Sequence, residues 1–485
     1  KWWVYHLANK YHIKTRAFII RRELLLNIGD TFSLLLAEET ARNLRSLSFI
    51  NNAEIELVKN GDSLNILHVK TSDYWSLTGG VFYTRNSDEN TVQFQIEEKN
   101  LLGLGQFVSL NYTNRDYDHN SIRLDYWERR ILGTRNSLHL FFDENPHSGS
   151  KGLYFNYPYY SHRTQTTYLF GYNSYNNRLE YYDNGDEVAQ IWTKGHTYEM
   201  MGGFRWGGYY SKITTSLSIL YTKIISYDTT IYNPIYSNIG FPNDSTYFQI
   251  LPNVGFYNTA YFRDRHLENM GKIEDVRLVK GIGISFGPAI NDKNGAHFYN
   301  RLSLSADYDL KLSKNLFFLT ASRILWLKNG EYLRKHSHLS IRCYNNGIEW
   351  YTLYGRIAFD SDYRSDHTQT VYLGENTGVR GLLKNFETGE SRIVINIENR
   401  FFPELRILAI SFGLVQFFDI GWTGDRNREY TMEDGHLSFG VGLRFGFEKF
   451  LRSEPMRIDF AYSNETKEWL ISIGLRQYLL NNKIF

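Results

Sequence analysis

The amino-acid sequence predicts an all-β transmembrane barrel preceded by a small α+β module, and three observations carry that expectation. Aromatic residues make up 16% of the 485-residue chain, with 37 Tyr and 32 Phe against 5 Met, a composition suited to strands. No run approaches the ~18 consecutive apolar residues that a membrane-spanning helix needs. From residue 73 onward, segments of strand length follow one another with turn residues between them. A chain that spans a bilayer without helices must cross it as a closed barrel, in which only alternate residues face lipid. The mean hydropathy of -0.43 is therefore compatible with a membrane.

With 54 basic and 52 acidic residues, the formal charge is only +2. A nucleic-acid groove built on phosphate neutralisation lacks the cationic excess it requires, so no nucleic-acid partner is expected. Cys343 is the single cysteine, which excludes an internal disulfide and a cysteine-based metal site. The chain opens on Lys1 without Met or a signal-peptide apolar region, so further sequence is expected upstream.

The first segment, 15–26, sets Phe18, Ile19 and Leu26 among charges; the second, 33–47, repeats Ala37, Ala41, Leu44 and Leu47 at helical spacing. Both read as short amphipathic helices. Gly29 suits the first helix's C-terminus, and Asp30, Thr31 or Ser33 the next N-cap. Two short strands follow, 53–58 and 64–70, around the hairpin signal Asn60-Gly61. Residues 1–72 are therefore expected to form one module, incomplete at its N-terminus, and residues 73–485 the barrel.

Helical periodicity ends after Trp75. Strands are expected at 77–84, 91–98, 107–114, 121–129, 136–142 and 152–159, joined alternately by tight turns (102–105, 132–134) and longer polar loops (115–120, 143–150). One short end and one long end is how outer-membrane barrels are connected. Period-2 alternation is clearest near the C-terminus. Leu408, Ile410, Phe412, Leu414 and Phe418 oppose Ala409, Ser411, Gly413, Val415, Phe417 and Asp419; Leu437, Phe439, Val441, Leu443 and Phe445 oppose Ser438, Gly440, Gly442, Arg444 and Gly446. Met456, Ile458 and Phe460 oppose Arg457 and Asp459, and Trp469, Ile471, Ile473 and Leu475 oppose Ser472, Gly474 and Arg476. A soluble β-sandwich gives the same alternation, but the number of segments, the Gly-rich inner faces and the aromatic residues at segment ends favour a barrel. About twenty segments run from Leu77 to Tyr478, and the even number returns both ends to one side.

The candidate site is the stretch 374–400. It joins a Gly-rich loop bearing Arg380 to a strand on which Asn396, Glu398 and Arg400 share the inward face, a possible lumen network. Gly79 and Gly80 on the first barrel strand, and Ser472 and Gly474 on the last, mark a weakly paired lateral seam. His6, His12 and His68 lack ligand spacing, the calcium-like run 183–187 lacks the full EF-hand spacing, and no nucleophile elbow is present. No metal, no cofactor and no catalytic residue is expected, although a barrel phospholipase would draw its residues from separate strands.

Three places carry a resemblance that covers most of the chain. Residues 19–57 look like the two helices and following strand of a POTRA module. Val379-Arg380-Gly381 looks like a VRG(F/Y) loop motif, and Phe417-Phe418-Asp419-Ile420-Gly421 matches F-x-D-x-G. The chain thus resembles the superfamily of BamA, TamA and the two-partner secretion transporters, also known as the bacterial surface antigen family. The resemblance implies periplasmic POTRA domains before an outer-membrane barrel of Gram-negative type, with about sixteen strands rather than the twenty or so counted above. It implies that the loop folds into the lumen and that Arg380 docks on Asp419, with Val379, Gly381, Phe417 and Gly421 completing a loop-lumen lock. It further implies a non-enzymatic role in inserting or exporting client polypeptides, captured by β-augmentation at the seam, with the lipid bilayer and accessory subunits as further partners. Leu382 departs from the motif, which ends in an aromatic ring. A two-partner secretion transporter is the alternative within the resemblance; a passive porin or a barrel enzyme lies outside it.

Overall fold

The computed structural model describes residues 10, 12–60, 64–86, 89–115, 119–145, 148–183, 186–232, 245–270, 273–291, 297–329, 332–365, 371–407, 410–425, 430, 431, 433–447 and 455–475. Lys1, His6, Gly61, Asn184, Gly185, Leu408, Ala409, Arg476 and Tyr478, all used in the expectations above, lie outside them. The chain packs as two compact units: Lys1–Pro146 with Lys151–Thr164 and Phe447–Ser453, and His147–Ser150 with Gln165–Gly446 and Glu454–Phe485.

In the first unit, helices span Ala17–Glu23 and Leu34–Ser46. The first is shorter than its pattern because Leu24 turns extended and the Leu25 N–H leaves the helix to bond Thr40 Oγ1 at 3.2 Å. Of the three residues expected at the next N-cap, Ser33 holds the position, without a side-chain cap bond, and Asp30 Oδ2 accepts the Asn27 N–H at 2.7 Å. One capping expectation needs correction. Gly29, at φ +94°, serves this 27–30 turn and not the helix end at Glu23. Leu44 and Ala53 pack with Ile19, Leu47, Phe49 and Ile50 into one core. The strands Ile50–Asn60 and Leu64–Asp73 pair antiparallel, with Ala53 opposite Thr71.

Next comes an antiparallel meander: Leu77–Asn86, Glu89–Glu98, Phe107–Arg115, His119–Glu128 and Ser137–Glu144. Its two tight turns are built alike. Leu102 (φ 53°) and Leu132 (φ 50°) adopt left-handed conformations that few non-glycine residues take, and Glu98 and Glu128 each accept a backbone N–H two residues on, from Asn100 and Arg130. The helices sit on these turns. Arg16 N–H bonds Gly103 O at 3.0 Å, Arg130 Nε bonds Glu23 Oε1 at 2.7 Å, and Glu39 Oε1 accepts the His162 N–H at 2.6 Å.

The second unit is a single antiparallel succession, running from Thr166–Asp183 and Asp186–Trp206 to Met456–Ser463 and Trp469–Leu475. Its faces are inverted relative to a soluble sheet. Along Ile410–Gly424 burial alternates as far as Asp419, with Ser411, Gly413, Val415, Phe417 and Asp419 buried and Leu414 and Phe418 exposed, and from Ile420 onward both faces are buried. On His436–Phe447, Arg444 is fully buried and Phe439, Val441 and Leu443 face outward. A soluble sandwich buries its apolar face; this sheet buries its charged one.

Candidate functional site

Between the strands Tyr351–Arg364 and Ser391–Phe401, the chain leaves the sheet as a loop framed by the short antiparallel pair Val371–Leu373 and Glu387–Gly389. Within it, Gly374 and Thr377 close a tight turn, with the Gly374 N–H bonded to Thr377 Oγ1 at 2.8 Å. Gly378 and Gly381 then take φ of +131° and +82°, open to glycine and strained for other residues. The Val379-Arg380 step between them is thereby turned onto the buried face of the sheet.

Arg380 and Asp419 are both buried and meet as a fork. Nε lies 2.7 Å from Oδ2, Nη2 lies 2.8 Å from Oδ1, and the Arg380 backbone N–H bonds Oδ2 at 3.2 Å. Nη1 lies 2.9 Å from Glu398 Oε1, and the guanidinium stands 3.6 Å above the Phe417 ring centroid. Burial alone would depress the Arg380 pKa; Asp419 and then Glu398 outweigh it and raise the pKa above the usual value, so the site keeps a permanent cation. Asn396, opposite Asp419 in register, donates Nδ2 to Asp419 Oδ1 at 2.8 Å and to Gly378 O at 2.7 Å. Arg400 Nε continues the chain of charges to Glu398 Oε2 at 2.8 Å.

Three inward positions of one strand therefore receive the loop. Phe417 carries the guanidinium face, Asp419 its edge, and Gly421 the side chain before it. A β-carbon on Gly421 would stand 2.7 Å from both Val379 Cγ2 and Leu373 Cδ1, so the absent side chain is the seat of Val379. Leu382 is buried with Leu373, Val379 and Val394, against Phe386. The departure from an aromatic ring at this position is taken up by an aliphatic cluster.

Sequence reasoning did not single out a second charged group on the same face. Arg444 Nη1 and Arg457 Nη1 share Asp459 at 2.6 and 2.7 Å, and Arg457 Nη1 donates to Ser472 Oγ at 2.9 Å. The signal was available, since all three charges fall on the small-residue face of alternating strands. Glu375, in the loop, bonds Ser472 with its carboxyl and has a pKa raised by burial, against the pull of Arg457. Ser472 and Gly474 lie in the second unit, Gly79 and Gly80 in the first. Gly474 has a local packing role, because a β-carbon there would come within 3.0 Å of Arg457 Nη2. Among the described residues no group of three or more His, Cys, Asp or Glu is arranged to hold a metal ion.

No protein-family model matches the chain. Over 139 residues it is 30% identical to a protein of Treponema pallidum (strain Nichols) described as a putative outer membrane protein assembly factor; the match covers 27% of this chain and 16% of that relative, so the chain spans only a small part of it. Among solved structures, CdiB from Acinetobacter baumannii is matched over 96% of this chain and 72% of its own, at 12% identity and a TM-score of 0.43. BamA from Haemophilus ducreyi lacking POTRA domains 1–3 is matched over 96% and 81%, at 12% identity and a TM-score of 0.36. CdiB from Escherichia coli is matched over 96% and 73%, at 10% identity and a TM-score of 0.42. The chain is thus similar in sequence, over 27% of its length, to a protein described as a putative outer membrane protein assembly factor.

Proposed function

We propose that this chain is an outer-membrane β-barrel that inserts or translocates client polypeptides, with residues 1–72 as a periplasmic POTRA-like module and residues 73–485 as the barrel. The observation that carries the reading is a Gly-rich loop fixed by Arg380 on Asp419 against a charged buried face, in a sheet whose outward face is apolar. An apolar exterior suits lipid and a charged interior suits an aqueous lumen; a loop locked inside that lumen suits a regulated conduit better than a passive pore. The sequence likeness to an outer membrane protein assembly factor supports the same reading.

Client strands are captured by backbone pairing at the first barrel strand, Leu77–Asn86, and the last, Trp469–Leu475, where Gly79, Gly80 and Gly474 weaken the hold of side chains. The chemistry is non-covalent. Depleting the protein and quantifying outer-membrane and secreted proteins tests this. Loss of integral barrels supports insertion, loss of one exported protein supports two-partner secretion, and no change in either fraction refutes the proposal.

A further inference from the structure

The loop that carries Arg380 reaches the buried face from one end of the sheet. A second segment, the turn 266–270 between Ser245–Arg265 and Ile273–Asn291, reaches it from the other end, beside Glu349, Trp350, Phe402, Pro403 and Glu404, with which His266 lines a cavity of about 400 Å³. This turn lies across strands far from its own neighbours. Leu267 is buried in a cluster with Phe317, Tyr344 and Tyr354, where Phe317 stacks on Tyr344 at 4.9 Å and Tyr354 meets Tyr344 edge-on at 5.0 Å. Glu268 accepts the Tyr344 hydroxyl and lies 3.5 Å from Arg400 Nη1. The backbone is held in the manner of a bound peptide: Leu267 O accepts from Arg400 Nη1 at 2.5 Å, and His266 O from Thr352 Oγ1 at 2.9 Å.

The turn is also pre-shaped for this seat. Glu274 Oε1 accepts the backbone N–H groups of Leu267, Glu268 and Asn269 at 3.0, 3.1 and 3.2 Å. His266 takes a left-handed φ of 59°, a strained conformation for a residue with a β-carbon. An aromatic floor takes an aliphatic side chain, and a hydroxyl with a guanidinium takes the carboxylate next to it.

We infer that this seat is a binding site for a polypeptide turn carrying an aliphatic residue followed by an acidic one, and that the turn 266–270 occupies it in cis as a built-in competitor. Release of Leu267 and Glu268 frees the site for a client passing along the buried face. Arg400 touches both this seat and Glu398, which in turn contacts Arg380, so occupancy at one end is felt by the lock at the other. The inference rests on the conduit reading above.

The test uses the full chain in planar bilayers, as parent, Glu268→Gln, Leu267→Ala and Tyr344→Phe, the last removing one hydroxyl only. The probe is the acetylated, amidated peptide His-Leu-Glu-Asn-Met, with His-Leu-Gln-Asn-Met as control. Loss of one charge-assisted contact is expected to raise the open fraction about tenfold, and the acidic peptide, not its Gln control, to close the two turn variants Glu268→Gln and Leu267→Ala, whose seat is intact; Tyr344→Phe, which alters the seat, is expected to open and to respond less to the peptide. Hydrogen exchange in micelles gives a second readout: the 267–269 amides are slow in the parent and fast in folded variants. Parent-like gating with parent-like exchange in all three variants overturns the inference, as does an opened Glu268→Gln or Leu267→Ala variant blind to the acidic peptide. If Arg380→Ala opens the channel while these variants do not, only the inference fails; a parent already wide open removes the conduit reading itself.

Discussion

The guanidinium of Arg380 and the carboxylate of Asp419, 39 residues apart in sequence, form two parallel hydrogen bonds of 2.7 and 2.8 Å in a place sealed from water. Geometry of this kind makes the two partners unequal to any substitute. Removing Arg380 leaves Asp419 as a buried carboxylate that has lost its cation, which costs about 3–5 kcal/mol. Arg380→Ala is therefore expected to release the loop, and a double-mutant cycle with Asp419→Ala should return a coupling of at least about 2 kcal/mol in loop hydrogen exchange. Additive single effects would show that the pair does not act as one unit.

Arg380→Lys is expected to resemble Arg380→Ala more than the parent. A lysine cannot form the fork to Asp419, reach Glu398 with a third nitrogen and lie flat on Phe417 together. Proteolytic susceptibility of the 374–386 loop in micelles measures this; parent-like resistance would show that charge alone suffices.

Gly421→Ala places a methyl group where Val379 and Leu373 already sit, at 2.7 Å. Overpacking of this kind costs about 1–3 kcal/mol, and Val379→Ala in the same chain should recover part of it. Thermal unfolding of the two single variants and the pair decides; a pair no better than Gly421→Ala argues that the seat is elsewhere.

Leu382→Phe restores an aromatic ring to the motif yet should destabilise by about 1–3 kcal/mol, because Leu373, Val379, Val394 and Phe386 already close around a leucine. Leu382→Ala should cost about 2–5 kcal/mol through the cavity left behind. A stabilising Leu382→Phe would mean the cluster has room that its burial denies.

Glu375 gives a pH dependence with a definite sign. Burial raises its pKa above the ordinary carboxylate value, so the docked loop binds its proton more tightly than the free chain does. The stabilisation is complete below the ordinary value and is lost as pH rises through the raised one. Glu375→Gln should therefore flatten the contribution of this group, with its benefit over the parent growing from pH 4 to pH 8 in unfolding midpoints. A benefit that shrinks over that range reverses the sign and refutes the assignment.

Much of this arrangement could be read from residue order, for a physical reason. Strand alternation has a period of two, so the inward placement of Asp419 and Arg444 and the outward placement of Phe418 and Leu443 follow from counting along one strand. Which inward residue meets which is a matter of register between strands. The link from Arg444 to Asp459, and the reach of Glu268 to Tyr344 and Arg400, were invisible for that reason. The link between Arg380 and Asp419 was suggested by two motifs and not by spacing. The helix ends escaped because Leu25 exchanges an intrahelical bond for one to Thr40, a tertiary choice that local propensity does not encode.

The inversion of the sheet's two faces has a thermodynamic corollary. Phe418, Phe439, Val441, Ile471 and Ile473 stand outward, so water is a poor solvent for the folded surface and a good one for much of what folding hides. The folding free energy of this chain is consequently a property of protein and amphiphile together. Its unfolding midpoint should move with the acyl length and concentration of the surrounding lipid or detergent, and stabilities of variants are comparable only at a fixed composition of that medium.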